Sequence, residues 1–562
     1  MSLHHITMRE KIIVMIAVMS ALLLVALDQT IIATALGAIV KEFNSFSSLG
    51  LVVTAYMLTT TVTVPLAGKL SDMYGRRPVL LTGVIVFTIG SLLSGLAGNI
   101  EWLVAWRALQ GIGGGIIMAN AFTIVGDLFS PRERGKWQGL IGAVFGMSSV
   151  IGPLLGGWLT DHQQLFGLVT DWRWTFFVNV PVGIAAGLVV ARFCPVIKHD
   201  AEHKPDYLGA VWITLALASL VLAVDNPDVV FRTLTHDWGW SLDAIKAGLF
   251  SLSAVSAAAF ALVEHRAAQP ILPLRFFRNR TYTLIIVAML LFGAAFLGSI
   301  LYLTQFNQQV FNASASRAGL MLLPMVGGMM VMAIASGQIA SRTGRYKYLM
   351  LAGFIIGTIA IYSLTALHPD SPYWQEAIRM VFVGAGLGMA MPLLNLAIQN
   401  EFGHRDLGAA TASVQLFRGL GSTIGTAVLS GVLTTGVMTA LPDPDTIAYV
   451  QTLKSSPASS QFFQDGVTAD TLLNLNMQKD DITTGMQTAL AAQRVPAPIA
   501  AQQTEKFVAQ QQQFSTDVTN AFTESLHHIF MISAALMAVA VVLIALVGER
   551  ELRSDVHHAG EM

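Results

Sequence analysis

The sequence predicts an all-α membrane protein: two six-helix bundles with a two-helix hairpin inserted between them. Three observations predict it. The 562-residue chain has mean hydropathy +0.61, with 54% hydrophobic and 12% charged residues, against about a quarter charged in soluble domains. It contains fourteen apolar runs long enough to cross the ~30 Å core of a bilayer. Short motifs also recur at one nearly constant offset, the mark of internal duplication.

The runs lie near 12–36, 50–68, 79–98, 102–127, 137–160, 174–194, 207–224, 244–263, 281–304, 318–340, 347–367, 375–400, 409–432 and 526–547. An even number puts both termini on one face. Nine basic residues (Lys41, Arg173, Arg232, Lys246, Arg317, Lys454, Lys479, Arg494, Lys506) fall in segments of the opposite face, and three (Arg107, Arg379, Arg418) within runs. The other 21 of 33 lie on the terminus-bearing face, which the positive-inside rule makes cytoplasmic. The first run is too long for a cleavable signal peptide and contains Asp28. Cys194 is the one cysteine, which excludes an intrachain disulfide and a cysteine metal site. A net charge of −1 gives no argument for nucleic acid.

The repeat sets the domain plan. "GKLSDMYGRRPVL" from Gly68 matches "GQIASRTGRYKYL" from Gly337 at an offset of 269. "RALQGIGGG…DLFSPRERG" from Arg107 matches "RMVFVGAGLG…NEFGHRDLG" from Arg379, with offsets of 272 at the arginines and 273 at Gly135 and Gly408. Six runs end near residue 195, so the surplus of about 70 residues fits one extra hairpin of two ~20-residue spans. The expected units are 1–200, an N-terminal six-helix bundle; 201–270, the hairpin; and 271–562, a C-terminal six-helix bundle carrying a long far-face segment at 433–523.

Asp28, within "LLVALDQTIIATAL", is the one acid deep in a run; every other Asp or Glu falls in a loop or near a run end. A charge at mid-membrane costs about 3 kcal/mol or more and needs a partner, a wet cavity or a proton. One reading is packing against a neighbouring helix. The other is a proton site whose carboxyl is loaded and unloaded as a cavity alternates between faces, with cationic cargo competing for it. Counting at about 1.5 Å per residue puts Asp28 and Arg107 at a shared depth, so Arg107 is the candidate partner.

Five motifs carry a family resemblance. "GKLSDMYGRRP", "LVAWRALQGIGGG" and "GPLLGG" (152–157) resemble signatures of the major facilitator superfamily; "LDQTIIATAL" and "DWRWTFFVNVPVG" (171–183) resemble those of its fourteen-span drug:proton antiporters of the EmrB/QacA type. The resemblance implies the major facilitator fold, a role in proton coupling for Arg107, and a gate shaped by Gly152 and Pro153. Anchoring of backbone carbonyls is the other reading of Arg107. Gly68, Asp72, Gly75 and Arg76, with Asp127 at the inner end of span four, read as a latch holding the outward-open state, or more simply as a solvated loop. The second copy has Ser341 in place of the acid, so its latch is expected to be weaker. Gly111, Gly115, Gly156 and Gly157 are expected to permit close helix packing; "GIGGG" follows no strand and is no nucleotide loop.

Phe145, Met147, Tyr302, Gln305, Asn395, Gln399, Gln415 and Phe417 are candidate cavity walls, since Met and aromatics suit varied apolar ligands. Before the last run, Phe507, Phe514, Val518 and Phe522 suggest an amphipathic helix on the membrane or over the cavity mouth. A loop without a role is the alternative, because the segment holds little aliphatic bulk. The resulting expectation is a proton-coupled multidrug efflux transporter of a bacterial inner membrane, with both termini cytoplasmic. It would export amphipathic or cationic compounds, contribute to antibiotic resistance, and be driven by the proton gradient with no cofactor or metal. Membrane lipid and a periplasmic protein are the further expected partners. An exporter of lipids or lipid-linked metabolites is the alternative; an enzyme or sensor lacks any supporting constellation.

Overall fold

The computed structural model describes residues 7–43, 49–160, 164–165, 168–194, 206–224, 227–231, 234–235, 238–313, 315–403, 406–455, 463, 466–493 and 496–552. Among these residues, fourteen helices are long and apolar enough to span a membrane. Lipid leaves the backbone no other way to satisfy its polar groups within a single segment. They are α1 (Met8–Phe43), α2 (Leu49–Tyr74), α3 (Arg76–Gly95), α4 (Ile100–Leu128), α5 (Pro131–Thr160), α6 (Asn179–Phe193, led by a short turn Trp174–Phe177), α7 (Tyr207–Val224), α8 (Leu242–Arg266), α9 (Arg280–Val310), α10 (Leu323–Thr343), α11 (Lys347–Ser363), α12 (Tyr373–Glu401), α13 (Leu407–Ala440) and α14 (Ala497–Ala545). A two-residue hairpin, Gln164–Leu165 with Leu168–Val169, follows α5.

Helices α1 to α6 pack among themselves, as do α9 to α14. The halves meet through α5 against α10 and α2 against α13, the two pairings that a repeat of like-oriented bundles makes equivalent. The inserted α7 and α8 pack on each other, and α7 also lies on α2 and α13, across the seam between halves. At the terminus-bearing face the bundles touch backbone to backbone. A side chain at Gly135 would meet the Gly337 carbonyl at 2.7 Å, and one at Gly68 the Gly408 carbonyl at 3.0 Å. The molecule is therefore closed on that face.

The far-face segment differs from expectation. α13 continues to Ala440 and α14 begins at Ala497, so the connection is 441–496 and not 433–523. Helix α14 has 49 residues, about 74 Å at 1.5 Å per residue, more than twice what a ~30 Å bilayer core needs, so the expected amphipathic helix and the last span are one unbroken helix. Short helices Ala448–Lys454, Ala469–Met477 and Lys479–Ala492 fold back on it. Tyr449 packs 5.3 Å from Phe507 and 4.9 Å from Phe514 (ring centroids); Gln511 Nε2 donates to the Tyr449 hydroxyl (3.0 Å) and the Lys479 carbonyl (2.8 Å). Asn476 Nδ2 donates to Gln309 Oε1 (2.8 Å) at the end of α9, docking the cap on the C-terminal bundle. Aromatics and buried amides supply the core that aliphatic count alone did not promise.

Candidate functional site: a buried ion pair beside a central cavity

Asp28 and Arg107 touch. Arg107 Nη1 donates to Asp28 Oδ2 at 2.5 Å, with both side chains 1% exposed. Gln110, one turn along α4, gives its Nε2 to Asp28 Oδ1 (2.8 Å) and accepts from Arg107 Nη1 (2.8 Å). Asn179 Nδ2 reaches Asp28 Oδ1 (3.3 Å) and Ser91 Oγ (3.0 Å). The guanidinium lies 4.3 Å from the Tyr56 ring centroid. One acid in lipid thus gathers a guanidinium and two amides, as the cost of an unpaired buried charge requires. The "DWRWTFFVNVPVG" turn supplies Asn179 and is itself tied to α1. Trp172 Nε1 donates to Glu42 Oε2 (2.6 Å), and Arg173 forks onto both Glu42 oxygens (2.9 and 2.6 Å). That fork holds the Glu42 carboxyl below its usual range.

The residues expected to form a latch converge at the ends of α2, α3, α4 and α13 on the terminus-bearing face. Arg76 is fully buried between Asp127 (Nε to Oδ2, 2.6 Å) and Asp72 (Nη1 to Oδ1, 2.5 Å), and also donates to Ser71 Oγ (2.7 Å). Asp72 Oδ2 accepts from the Ala409 backbone N–H (3.1 Å) in the first turn of α13, so a carboxylate of one half caps a helix of the other. Gly75, at φ 98°, makes the left-handed turn between α2 and α3 that a side chain would strain. In the second copy Gly344 has φ 73°, but Arg345 is 61% exposed and, among the described residues, pairs with the distal Glu549 (3.7 Å) and Glu551 (3.6 Å).

The packing glycines lie at helix crossings. A Cβ at Gly111 would meet the Tyr56 carbonyl at 2.5 Å, and one at Gly115 the Thr60 carbonyl at 2.7 Å, both on α2. Gly152 faces Thr30 of α1, whose Oγ1 donates to the Ser148 carbonyl (2.9 Å). Gly156 is buried and Gly157 half-buried; α5 runs unbroken through Pro153, whose side chain lies outside the described residues.

A central cavity of about 150 Å³ lies between the halves at mid-depth, lined from α1, α2, α4, α5, α9 and α13. Phe145 and Gln415 line it; the other candidates do not. Met147 and Phe417 are off-phase on their helices from the lining residues Ser148, Ser149 and Arg418, and Phe417 packs 6.3 Å from Phe277 instead. Tyr302 is 1% exposed, turned into the C-terminal bundle, and Gln305 lies beyond the last lining residue of α9, Ile300. Asn395 stands behind the wall, accepting from Gln415 Nε2 (3.0 Å). Gln399 lies at the seam between the halves. Its carbonyl accepts from Arg134 (3.0 Å), its Oε1 from Gln138 (3.2 Å), and its Nε2 donates to the Phe122 carbonyl (2.8 Å).

Asp28 is not part of the lining either; its neighbours Gln29 and Thr30 are. Direct competition between cargo and proton for the Asp28 oxygens is therefore not what this conformation presents. Nor is Asp28 alone in its burial. Glu376, in the first turn of α12, is 0% exposed and faces the buried Asn307 of α9. The segment after α9 covers it, where Phe311 packs on Tyr373 and the Tyr373 hydroxyl donates to the Met321 carbonyl.

The description "Major Facilitator Superfamily" matches residues 18–426. The chain belongs to the major facilitator superfamily. It is a multi-pass membrane transporter, and not an enzyme. It is 36% identical over 439 residues to "Multidrug transporter protein MdtP" of Bacillus subtilis (strain 168), covering 78% of this chain and 77% of that protein. It is 35% identical over 426 residues to "Multidrug resistance protein 3" of the same organism, covering 76% and 80%. Among solved structures, the proton:xylose symporter XylE bound to 6-bromo-6-deoxy-D-glucose superposes with a TM-score of 0.55 at 15% identity, over 97% of this chain and 98% of that one. That likeness is one of fold.

Proposed function

We propose that this member of the superfamily exports amphipathic small molecules in exchange for protons by alternating access, with Asp28 as the proton site and Arg107 as its counter-charge. The observation that carries the reading is the buried Asp28–Arg107 pair, two residues from the cavity-lining Ala26 and next to Gln29. Protonating the carboxyl would remove the charge that holds the guanidinium and weaken the two amide bonds, and so reset how α1 packs against α4 and α6. Cargo in the cavity touches the same helix through Gln29 and Thr30, so coupling runs through α1. The names of the two Bacillus relatives support drug-like cargo. The excess of basic residues on the terminus-bearing face supports cytoplasmic termini in a bacterial inner membrane.

The test is transport into inverted vesicles under an imposed pH gradient, with ethidium and dansyl-labelled amphipaths as cargo. Asp28→Asn should abolish uphill accumulation while leaving binding and downhill exchange. Uphill pumping by Asp28→Asn would refute the reading. One observation favours lipid cargo as a second reading: a groove of about 890 Å³ between α13 and α14, lined by Val428, Val432, Met531 and Ile532 with Glu524 and His528. Movement of labelled lipid and of no dye in the same vesicles would select it.

A further inference from the structure

The central cavity has one ionisable side chain among its described lining residues, and it is a cation. Arg418 sits at the twelfth position of α13, about 17 Å along a helix rising 1.5 Å per residue, hence near mid-membrane. Its surroundings differ from those of the other buried arginines. Arg107 and Arg76 are ion-paired, and Arg134 is spread over three backbone carbonyls. Arg418 forms no ion pair with any described carboxylate. Its Nε donates to Gln415 Oε1 (3.1 Å), and Gln415 is in turn oriented by Asn395. Its Cζ lies 5.5 Å from the Phe145 ring centroid. Among the described residues its η nitrogens find only the Met118 sulfur, at 3.8 Å, a weak acceptor. The guanidinium is thus held by one edge and its fork is left to the cavity.

An intramembrane arginine that faces a cavity without a partner is an invitation to an anion, and the planar fork matches a carboxylate or sulfonate with two parallel bonds. Around it stand the hydroxyls of Ser149 and Thr423 and the apolar surfaces of Phe145, Phe296 and Ile300. We propose that Arg418 recognises an acidic group on the cargo, so that the cavity selects amphipathic monoanions over the cationic compounds that the sequence suggested. The proposal rests on the reading of this cavity as the cargo site. It also fixes a charge balance. An anion leaving as one proton enters moves two charges, whereas a monovalent cation leaving against one proton moves none.

The experiment uses purified protein in nanodiscs and three probes with one fluorophore: N-dansyl-phenylalanine, its methyl ester, and dansylcadaverine. Fluorescence polarisation at pH 7 should give the carboxylate at least tenfold tighter binding than the ester, with the amine weakest. Arg418→Gln should erase that ratio and Arg418→Lys should keep most of it. The ligand comparison on wild-type protein needs no variant to fold. Equal or tighter binding of the ester or the amine, no binding of the carboxylate, or a ratio unchanged in Arg418→Gln would each overturn the proposal. Binding is read at equilibrium without a gradient. A vesicle assay in which nothing moves uphill therefore sinks proton exchange and leaves the anion preference standing. Uphill dansylcadaverine transport with the carboxylate unbound does the reverse. Where the carboxylate is pumped, an imposed membrane potential should alter its rate steeply; indifference to potential would refute the two-charge balance.

Discussion

Removing the Asp72 carboxylate should open the terminus-bearing face without unfolding the protein. Arg76 sits between two acids, so the trio carries a net charge of −1, and that surplus faces the N-terminus of α13 at Ala409. Asp72→Ala leaves Arg76 neutralised by Asp127 and orphans no buried charge. What is lost is a hydrogen bond to a charged group, worth about 1.5–3 kcal/mol, overlapping with a helix-dipole contribution of about 0.3–1 kcal/mol. Taking about 2 kcal/mol for the sum, the equilibrium between closed and open inner faces should shift about thirtyfold. Asp72→Asn, which keeps an acceptor and loses the charge, should shift it less. The measurement is a spin-label distance between positions 74 and 348, where Tyr74 and Tyr348 are 53% and 62% exposed on opposite halves, in a Cys194→Ser background free of other thiols. A second, longer distance should appear in Asp72→Ala. An unchanged distribution with melting temperature preserved would refute the reasoning, because Asp72 would then hold nothing across the seam.

Gly135→Val should produce the same longer distance by a different route. Its Cβ would meet the Gly337 carbonyl at 2.7 Å, and an unmoved distance would show that α5 and α10 yield locally. Glu42→Gln should cost about 1 kcal/mol or less, since its partner Arg173 is 26% exposed and Glu42 itself 41%. Because the folded carboxyl is held low by Arg173, that difference in melting temperature should be full above the ordinary carboxylate range. It should vanish as pH falls through the depressed folded value; a difference persisting in acid would mean that charge is not its source. Gln511→Leu removes the partner of the Tyr449 and Thr483 hydroxyls, at about 1–3 kcal/mol. Limited proteolysis within 441–496 should quicken while the spanning helices stay protected, and an unchanged cleavage rate would count against the cap core.

Much of this was legible because lipid permits so few solutions. Long apolar runs must be helices, and an acid among them must find a partner at its own depth, so Asp28 and Arg107 could be paired by counting. Gln110 carried a readable signal, three residues from Arg107 and hence on the same helix face. Cavity residues were less legible. Which face of α5 or α13 turns to the centre depends on packing phase, and helices surrounded by other helices and lipid are apolar on every side, so periodicity cannot choose Ser148 over Met147. The extension of α14 was readable in part. Residues 497–545 contain no glycine and a proline only at position 498, and Gln and Ala are good helix formers, so nothing in the sequence stops the last span at the membrane surface.

The two halves share a fold and have divided its chemistry. Arg107 recurs as Arg379, but α9 contains no acid to pair with it, and among the described residues Arg379 donates to the Gln375 carbonyl one turn away. Arg418 has no counterpart in the middle of α5, which between Lys136 and Thr160 has no charged residue. One bundle therefore holds a sealed acid–base pair, and the other presents an unpaired cation to the cavity. Helix α1 borders both, with Asp28 turned into its bundle and Gln29 turned to the centre, as do α2 through Tyr56 and Met57 and α4 through Arg107 and Met118. Consecutive residues on a helix point about 100° apart, so a small rotation of α1 changes the environment of the acid and the shape of the cavity together. The proposed proton exchange would then need no contact between proton and cargo, and cargo could vary in shape without disturbing the Asp28–Arg107 pair.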